Sequence, residues 1–419
     1  MKNDVGQVLN LWYDMIRKNN KIMKETNINK GIYLDHAAAT PVLKEAYEAM
    51  MPYYMDYYAN AGAIHQQGLR AKSGIDDARR KIALVLGCNI DEVIFTSGGT
   101  ESNNLAIFGL IRALRGRKPG YDQLHVISSE IEHVSVRRPL EVLEEEGLIS
   151  VTWLPVNGGG TVASKDLAAA LRDETVLVSI IYGHNEIGTV QDIPSLAKVI
   201  SGHRKSRGGT YPLFHIDGAQ AVGNLELLVE KLHVDMMTIS SSKCYGPKGA
   251  AALYARRRTP LVASIWGGGH EYGLRSGTQN TPSIVGFGEA VGIVHKDKER
   301  MVGTLRELRE WFRSALLSIP GTISFGDVER SLPGILNMGF AGVMREQLVL
   351  ELDARKVSIS AGSACDSKDN GISHTLRALN APESYSRGAV RFSLGRSTNL
   401  DCLKYVVSVL PDILGRIRS

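Results

Sequence analysis

PLFHIDGA at residues 212–219 and VDMMTISSSK at residues 234–243 decide the fold of this chain. Each is a short apolar run that stops at an ionisable residue, Asp217 in the first and Lys243 in the second. The runs are too short for helices and show no polar alternation. Such a run reads as a strand buried on both faces, the signature of a parallel sheet covered on both sides. The pattern extends outward from this pair. EVIFTSGG (92–99), LHVISS (124–129), ISVTWLPV (149–156) and TVLVSIIYG (175–183) are further runs of the same kind. Most are separated by helix-period segments such as RRPLEVLEEEG (137–147), SKDLAAALRD (164–173) and IPSLAKVISGHRKS (193–206). Strand alternating with helix predicts an α/β large domain on a mostly parallel sheet. Polar motifs sit at the strand ends: TSGGTESNN (96–104), SSEIEH (128–133), GHNEIG (183–188), HIDGAQ (215–220) and SSSKCYGPKG (240–249). In such sheets ligands bind beyond the carboxyl ends of the strands.

After about Pro282 the texture changes. A long helical stretch runs to Ser318, and strand-like pieces then alternate with helices: TISF (322–325), GILNMGF (334–340), VSISAGSAC (357–365) and AVRFSLG (389–395). This predicts a smaller α+β domain. The expected division is an N-terminal extension (1–30), a large domain (31–290) and a small C-terminal domain (291–419) joined by part of the N-terminal segment. A short helix is expected around Val8–Ile16.

Bulk properties exclude several function classes. With 419 residues and 43% hydrophobic content, the chain can bury a large core without staples. The net charge of +5 is mild and spread along the chain, so no dedicated nucleic-acid surface is expected. Cys88, Cys244, Cys365 and Cys402 lie far apart, with no CxxC and no HExxH, which argues against a disulfide scaffold or a metal site. Isolated cysteines fit a reducing compartment, and a cytoplasmic protein is expected. No run of eighteen apolar residues suggests a membrane span, and the N-terminus lacks a signal-peptide core.

The strand-end motifs carry the candidate chemistry. GxGxxG and GxxxxGK[ST] are both absent, so the common dinucleotide and P-loop readings have no support. TSGGTESNN offers backbone N–H groups and a hydroxyl at a strand-to-helix turn, which suits a phosphate; an ordinary N-cap by Thr100 with Glu101 in the first turn serves equally well. Asp217 past its strand could cap a helix, or could hold the positive ring nitrogen that pyridoxal phosphate requires as an electron sink. Lys243 past the next strand could be a solvated surface charge, or a partly buried amine of lowered pKa that forms a Schiff base. The two together, at the ends of successive strands, are far more specific than either alone. Cys365 lies in a Gly- and Asp-rich turn, unlike the usual buried structural cysteine. Cys88, Cys244 and Cys402 lie in apolar or helical surroundings and read as structural.

From YLDHAAATP (33–41) to VRFSLGRST (390–398), the chain resembles the cysteine desulfurases of the class V aminotransferase group. FTSGGTESNN, EIEH, HNEIGTVQDI, HIDGAQAVG, YGPKG, LRSGTQN, GSAC and RFSLG carry the resemblance in order. It implies the aspartate-aminotransferase-type fold (fold type I) and pyridoxal 5'-phosphate as cofactor. It implies that Lys243 binds the cofactor covalently, Asp217 pairs with its ring nitrogen, Gln220 contacts its phenolic oxygen, and His133 stacks on the ring and shuttles protons. Gly99, Thr100 and Ser240 would hold the phosphate. Thr278 would reach the phosphate of a partner subunit, which implies a homodimer. Asn185 and Arg391 would hold the carboxylate of L-cysteine, with Asn60 and His65 near the substrate side. Cys365 would be the catalytic cysteine, on a loop of the longer, housekeeping type, handing sulfur to acceptor proteins for iron–sulfur cluster assembly or tRNA thiolation. Ser242 departs from the family pattern, which has a phosphate-contacting histidine there, and His270 stands where glutamine is usual. The alternatives are a selenocysteine or cysteine-sulfinate lyase on the same fold, and a degenerate homologue acting as a sulfur-pathway scaffold.

Overall fold

Every residue of the runs Leu124–Ser129 and Thr175–Ile181 is buried, as strands covered on both faces require. The structure is a computed structural model that describes residues 31–115, 123–362 and 372–418. The expected helix around Val8–Ile16 and the candidate cysteine Cys365 lie outside the described residues. The strands are β1 (Ile32–Tyr33), β2 (Val93–Thr96), β3 (Leu124–Ser129), β4 (Ile149–Leu154), β5 (Thr175–Ile181), β6 (Leu213–Asp217), β7 (Met236–Ser240), β8 (Ala251–Ala255), β9 (Thr322–Phe325), β10 (Ile335–Phe340), β11 (Val357–Ser358) and β12 (Ala389–Ser393). The helices used below are α1 (Gln66–Leu86), α2 (Gly99–Leu114), α3 (Val134–Glu145), α4 (Ile193–Ser206), α5 (Thr281–Lys296), α6 (Lys298–Leu317), α7 (His374–Ala378) and α8 (Leu400–Ile417).

A seven-stranded sheet in the order β2-β8-β7-β6-β5-β3-β4 forms the frame. Its run β4-β3-β5-β6-β7 is parallel, while β8 is antiparallel to both β2 and β7. Alternate residues of each strand face opposite cores. Phe95, Val178, Phe214, Ile216, Met237 and Ile239 pack with Ile75, Ile82, Leu196 and Phe287 from α1, α4 and α5. Ile94, Val126, Leu177, Leu213 and Met236 pack with Leu105, Ile107, Val136 and Leu140 from α2 and α3. The chain leaves β3 for β4 at one edge, then returns on the other side of β3 as β5. Crossovers therefore diverge between β3 and β5, opening a crevice at the carboxyl ends.

A second core forms around the antiparallel sheet β12-β10-β9. Phe312, Phe340, Val390, Phe392 and Leu403 fill it, and Ile32 and Leu34 from the start of the described chain join them. Phe312 and Phe392 meet edge-on at 5.1 Å, a favourable aromatic arrangement. The long helical stretch that runs to Ser318 consists of two helices, α5 and α6, which break at Asp297. The bend lets α5 bury Ile284 and Phe287 in the first core while α6 buries Leu305 and Leu316 in the second. Arg396 fastens it, its Nη2 donating to Asp297 at 2.9 Å.

Candidate active site

The carboxyl ends of β2, β3, β5, β6 and β7 surround one cavity of roughly 820 Å³, open mouth included. Gly98, Gly99, Thr100, Asn103, His133, Ser135, Asn185, Asp217, Gln220, Ser240, Ser242 and Lys243 are among its lining residues. The neighbouring cavity of about 920 Å³ shares Lys243, His133 and Asn185, and adds Asp35, His374 and Arg391. Most of the residues singled out in the sequence are thus brought to one place by five chain segments.

Asp217 ends β6 and is paired in register with Ile181 and Thr238 on the neighbouring strands. It is buried at 4% exposure, its Oδ2 accepting from Asn103 Nδ2 at 2.8 Å and its Oδ1 from the Ala219 amide at 3.0 Å. Lys243 follows β7 through one short turn. Its Nζ donates to the Ala37 carbonyl at 2.9 Å and to the Ala38 carbonyl at 2.5 Å. Burial pushes this amine down from its usual 10.5 to about 8; the charge of Arg391 pushes the same way, against Asp35 and Asp217. The free nucleophilic amine is therefore far more accessible near neutral pH than that of an ordinary lysine.

Gly98, not Thr100, caps α2, and it offers no side chain to the first amides. The leading N–H groups of a helix have no acceptor within it and carry the positive end of its dipole. A Cβ on Gly98 would meet nothing within 4 Å, so that end of α2 faces open space. Ser240 and Ser242 bring hydroxyls 3.4 Å apart to the same cavity. Thr40 holds the Ser242 carbonyl through its amide at 2.9 Å and its hydroxyl at 3.1 Å. Gln220 is buried, and its Nε2 donates to the Ala37 carbonyl at 2.9 Å.

His133 stands at the junction of a helix and the cavities. It caps α3, its Nδ1 accepting from the Ser135 amide at 3.1 Å, and it lines both cavities. Burial lowers its pKa, Lys243 and His374 add to this, and Asp217 opposes it. Arg391, on β12, is 4% exposed. Its Nη1 donates to the Asn185 carbonyl at 2.9 Å and its Nη2 to Asp35 Oδ1 at 2.5 Å, while Nε has no acceptor among the described residues. A buried donor of this kind calls for an acceptor from outside the chain, such as a carboxylate.

Asn60 and Thr278 are exposed and line neither cavity. The side chain of Asn60 accepts from the Gly62 amide at 2.8 Å, and His65 caps α1 through the Gly68 amide at 3.2 Å. Burial pushes the thiols of Cys88 and Cys244 up to about 12, which removes them as nucleophiles. Several cavity residues were not expected from the sequence: Asp35, Asn103, Glu132, Ser135 and His374. Asn103 lies one turn after the glycines of TSGGTESNN, a helical spacing that would have flagged it. His374 opens the short helix that follows the candidate cysteine loop. Glu132 is fully buried and pushed up to about 8 by that burial, with Asp217 adding to the effect against hydrogen bonds from Ser129 and the Ile181 amide. Among the described residues, no cluster of His, Cys, Asp and Glu could hold a metal ion, and no helix is long and apolar enough to cross a membrane.

The arrangement can hold an anion at α2, a cationic ring nitrogen at Asp217, a carbonyl carbon at Lys243 and a carboxylate at Arg391. The aminotransferase class-V family model matches residues 32–406. A cysteine desulfurase IscS of Dictyoglomus turgidum is 39% identical over 393 residues, covering 94% of this chain and 96% of its own. A cysteine desulfurase IscS 1 of Archaeoglobus fulgidus is 38% identical over 387 residues, covering 92% of this chain and 98% of its own. Among solved structures, a NifS-like protein superposes with a TM-score of 0.84 at 30% identity, over 92% of this chain and all of the other. The structure "SspA in complex with cysteine" superposes with a TM-score of 0.75 at 35% identity, over 87% of this chain and 98% of the other. Family model, relatives and fold agree over nearly the whole chain, which therefore belongs to the class-V aminotransferase family, among its cysteine desulfurases.

Proposed function

We propose that this chain is a pyridoxal-phosphate-dependent cysteine desulfurase that converts L-cysteine to L-alanine and leaves the sulfur on Cys365 as a persulfide. The observation that carries this reading is the placement of Asp217 and Lys243 at the carboxyl ends of the adjacent parallel strands β6 and β7. Both face the cavity onto which the uncapped start of α2 opens. The residues fit the cofactor on their own chemistry. Uncapped amides and the hydroxyls of Thr100, Ser240 and Ser242 suit its phosphate, and Asp217 is a buried acceptor for its ring nitrogen. Bound there, the cofactor would supply an electron sink for charge developing at the substrate α-carbon.

The protein groups divide the remaining work. Lys243, once its Nζ leaves the carbonyls of Ala37 and Ala38, holds the cofactor and then takes the α-proton of L-cysteine. Asp217 would keep the ring nitrogen protonated, and Gln220 would contact the phenolic oxygen. Arg391 takes the substrate carboxylate on a guanidinium that Asp35 and the Asn185 carbonyl already orient. His133 lies where protons can be relayed. The Cys365 thiolate forms a bond to the substrate sulfur as the carbon–sulfur bond breaks. The electron pair of that bond stays with the carbon, which takes up the proton the Cys365 thiol gave up; alanine leaves, and the enzyme keeps S–SH. Acceptor proteins for iron–sulfur assembly or tRNA thiolation would then take the sulfur, in a cytoplasmic setting. Asn60 and His65 are kept as substrate-side residues reached from outside this chain's own cavities.

The division into a large domain (31–290) and a small domain (291–419) is retained as part of this reading, with the Ile32–Leu34 segment packed on the small one. A homodimer is supported by the exposed side chains of Met55, Tyr58, Ile64 and Trp266, and by the position of Thr278 outside its own chain's cavity. The test is Cys365→Ser. The variant should stay yellow and still change colour with L-cysteine, yet release no alanine above background and form no persulfide. Alanine at the parent rate would sink the desulfurase reading in favour of a lyase that needs no protein thiol.

A further inference from the structure

Asn103 and Ser135 stand between Asp217 and His133, and their hydrogen bonds can run in only one direction. Asp217 as a carboxylate only accepts. Asn103 must therefore turn its Nδ2 toward it, at 2.8 Å, and the second proton of that nitrogen goes to Ser135 Oγ at 2.8 Å. This orientation leaves Asn103 Oδ1 buried without a partner, a cost that the two donated bonds offset. Ser135 Oγ lies 2.7 Å from His133 Nδ1, and the Ser135 backbone amide approaches the same nitrogen at 3.1 Å. A ring nitrogen that faces a backbone N–H must present a lone pair. The hydroxyl proton of Ser135 then points the same way, and the ring proton is left on Nε2.

We infer that Asn103 and Ser135 are positioning residues that hold His133 as a neutral imidazole with its proton on Nε2, and that they tie its tautomer and ring plane to the Asp217 carboxylate. The inference rests on the reading of His133 as a group that works on bound ligand. Position reinforces it, because His133 is the N-cap of the twelve-residue α3, where the helix dipole opposes a positive charge. The groups facing the ring act in both directions. Lys243 and His374 oppose its protonation and Asp217 favours it, while Asp35 and Arg391 share the second cavity as an ion pair. Glu132 precedes His133 in the chain, and its carboxyl is pushed up to about 8. His133 thus offers the cavities a hydrogen-bond donor at Nε2.

The experiment uses cofactor-loaded protein labelled with ¹⁵N-histidine and observed by solid-state NMR, with His133→Gln to assign the signal. The parent at neutral pH should show a protonated Nε2 and an unprotonated Nδ1. In Asn103→Leu, Ser135 loses its incoming donor and its hydroxyl can turn its oxygen toward Nδ1, so that only the Ser135 amide still opposes Nδ1–H and the cation is less disfavoured. The acid limb of the kcat/KM profile with L-cysteine should therefore move up by about one pH unit. Ser135→Thr keeps hydroxyl and amide and should keep the limb in place. A merely structural role would lower the amplitude and leave the limb where it is. A protonated Nδ1 in the parent, or an unmoved limb in folded Asn103→Leu, would overturn the inference. If Asn103→Leu does not fold, the parent spectrum alone decides. Absence of alanine formation in the parent would sink the desulfurase reading, and the tautomer would still be readable.

Discussion

At the scale of single residues, two side chains set how the cofactor is captured. Lys243 gives up its proton at about 8 because burial disfavours the ammonium. Only the free amine attacks a carbonyl. In cofactor-free protein, the rate at which added pyridoxal phosphate develops its protein-bound absorption should climb about tenfold per pH unit and level off above about 8. A plateau reached only near the ordinary lysine value would contradict the burial argument. The same shift makes Lys243 a cost to stability that is relieved as pH rises. Between about 8 and 10.5 the unfolded chain holds more protons on this group than the folded one. Ser242 acts at the other end of the site. A hydroxyl brings no charge to the phosphate, and its carbonyl is already fixed by Thr40, so a larger side chain can be tried on an unchanged backbone. Ser242→His should tighten cofactor binding by about tenfold to a hundredfold, the worth of one charge-assisted hydrogen bond. Equal or weaker affinity of the folded variant, measured by fluorescence titration, would count against this account.

At the scale of elements, one buried ion pair fastens the loop that carries Thr278. Arg79 on α1 reaches Glu271 with two parallel bonds of 2.8 and 2.9 Å, and both side chains are under 10% exposed. Glu271 also accepts from the Phe95 amide of β2 at 2.9 Å and from Gln279. The Arg79 guanidinium packs 4.6 Å from the Phe95 ring centroid. Helix, strand and loop are thereby joined at a single carboxylate. Removing one partner leaves an uncompensated buried charge, which typically costs about 3–5 kcal/mol. Arg79→Met should lower stability by that amount in urea unfolding, and Arg79→Met with Glu271→Met should recover part of it. Equal losses in the single and double variants would mean that packing, and not charge, sets the cost.

At the scale of the whole molecule, the apolar surface is unevenly placed. Ile64 is 94% exposed, and Met55, Tyr58 and Trp266 are each 76% exposed. The 60–64 turn and the 266–270 loop are neighbours, since a Cβ on Gly62 would lie 3.8 Å from His270 Nε2. Clustered exposed apolar side chains mark an interface. Ile64→Asp with Trp266→Asp should shift sedimentation from dimer to monomer. Because Thr278 is proposed to serve the partner's phosphate site, the same variant should also hold the cofactor less tightly. A dimer that persists with both charges in place would remove this face from the interface.

The sequence by itself determined the alternation of strand and helix, the strand-end placement of Asp217 and Lys243, and the family. These follow from local periodicity and contiguous motifs, which do not depend on what packs against them. The long helical stretch before Ser318 was legible, but its break at Asp297 was not, because that break answers to two separate cores and to Arg396, a residue far along the chain. The same physics hid Asn103, Ser135, Asp35 and His374. Asp35 and Asn103 even stand within quoted motifs, yet each of the four matters through a partner more than thirty residues away. Sequence alone did not show that His133 would cap a helix. Only the tertiary structure made it a cap that also lines the cavity, because the first turn of α3 and the carboxyl end of β6 meet there.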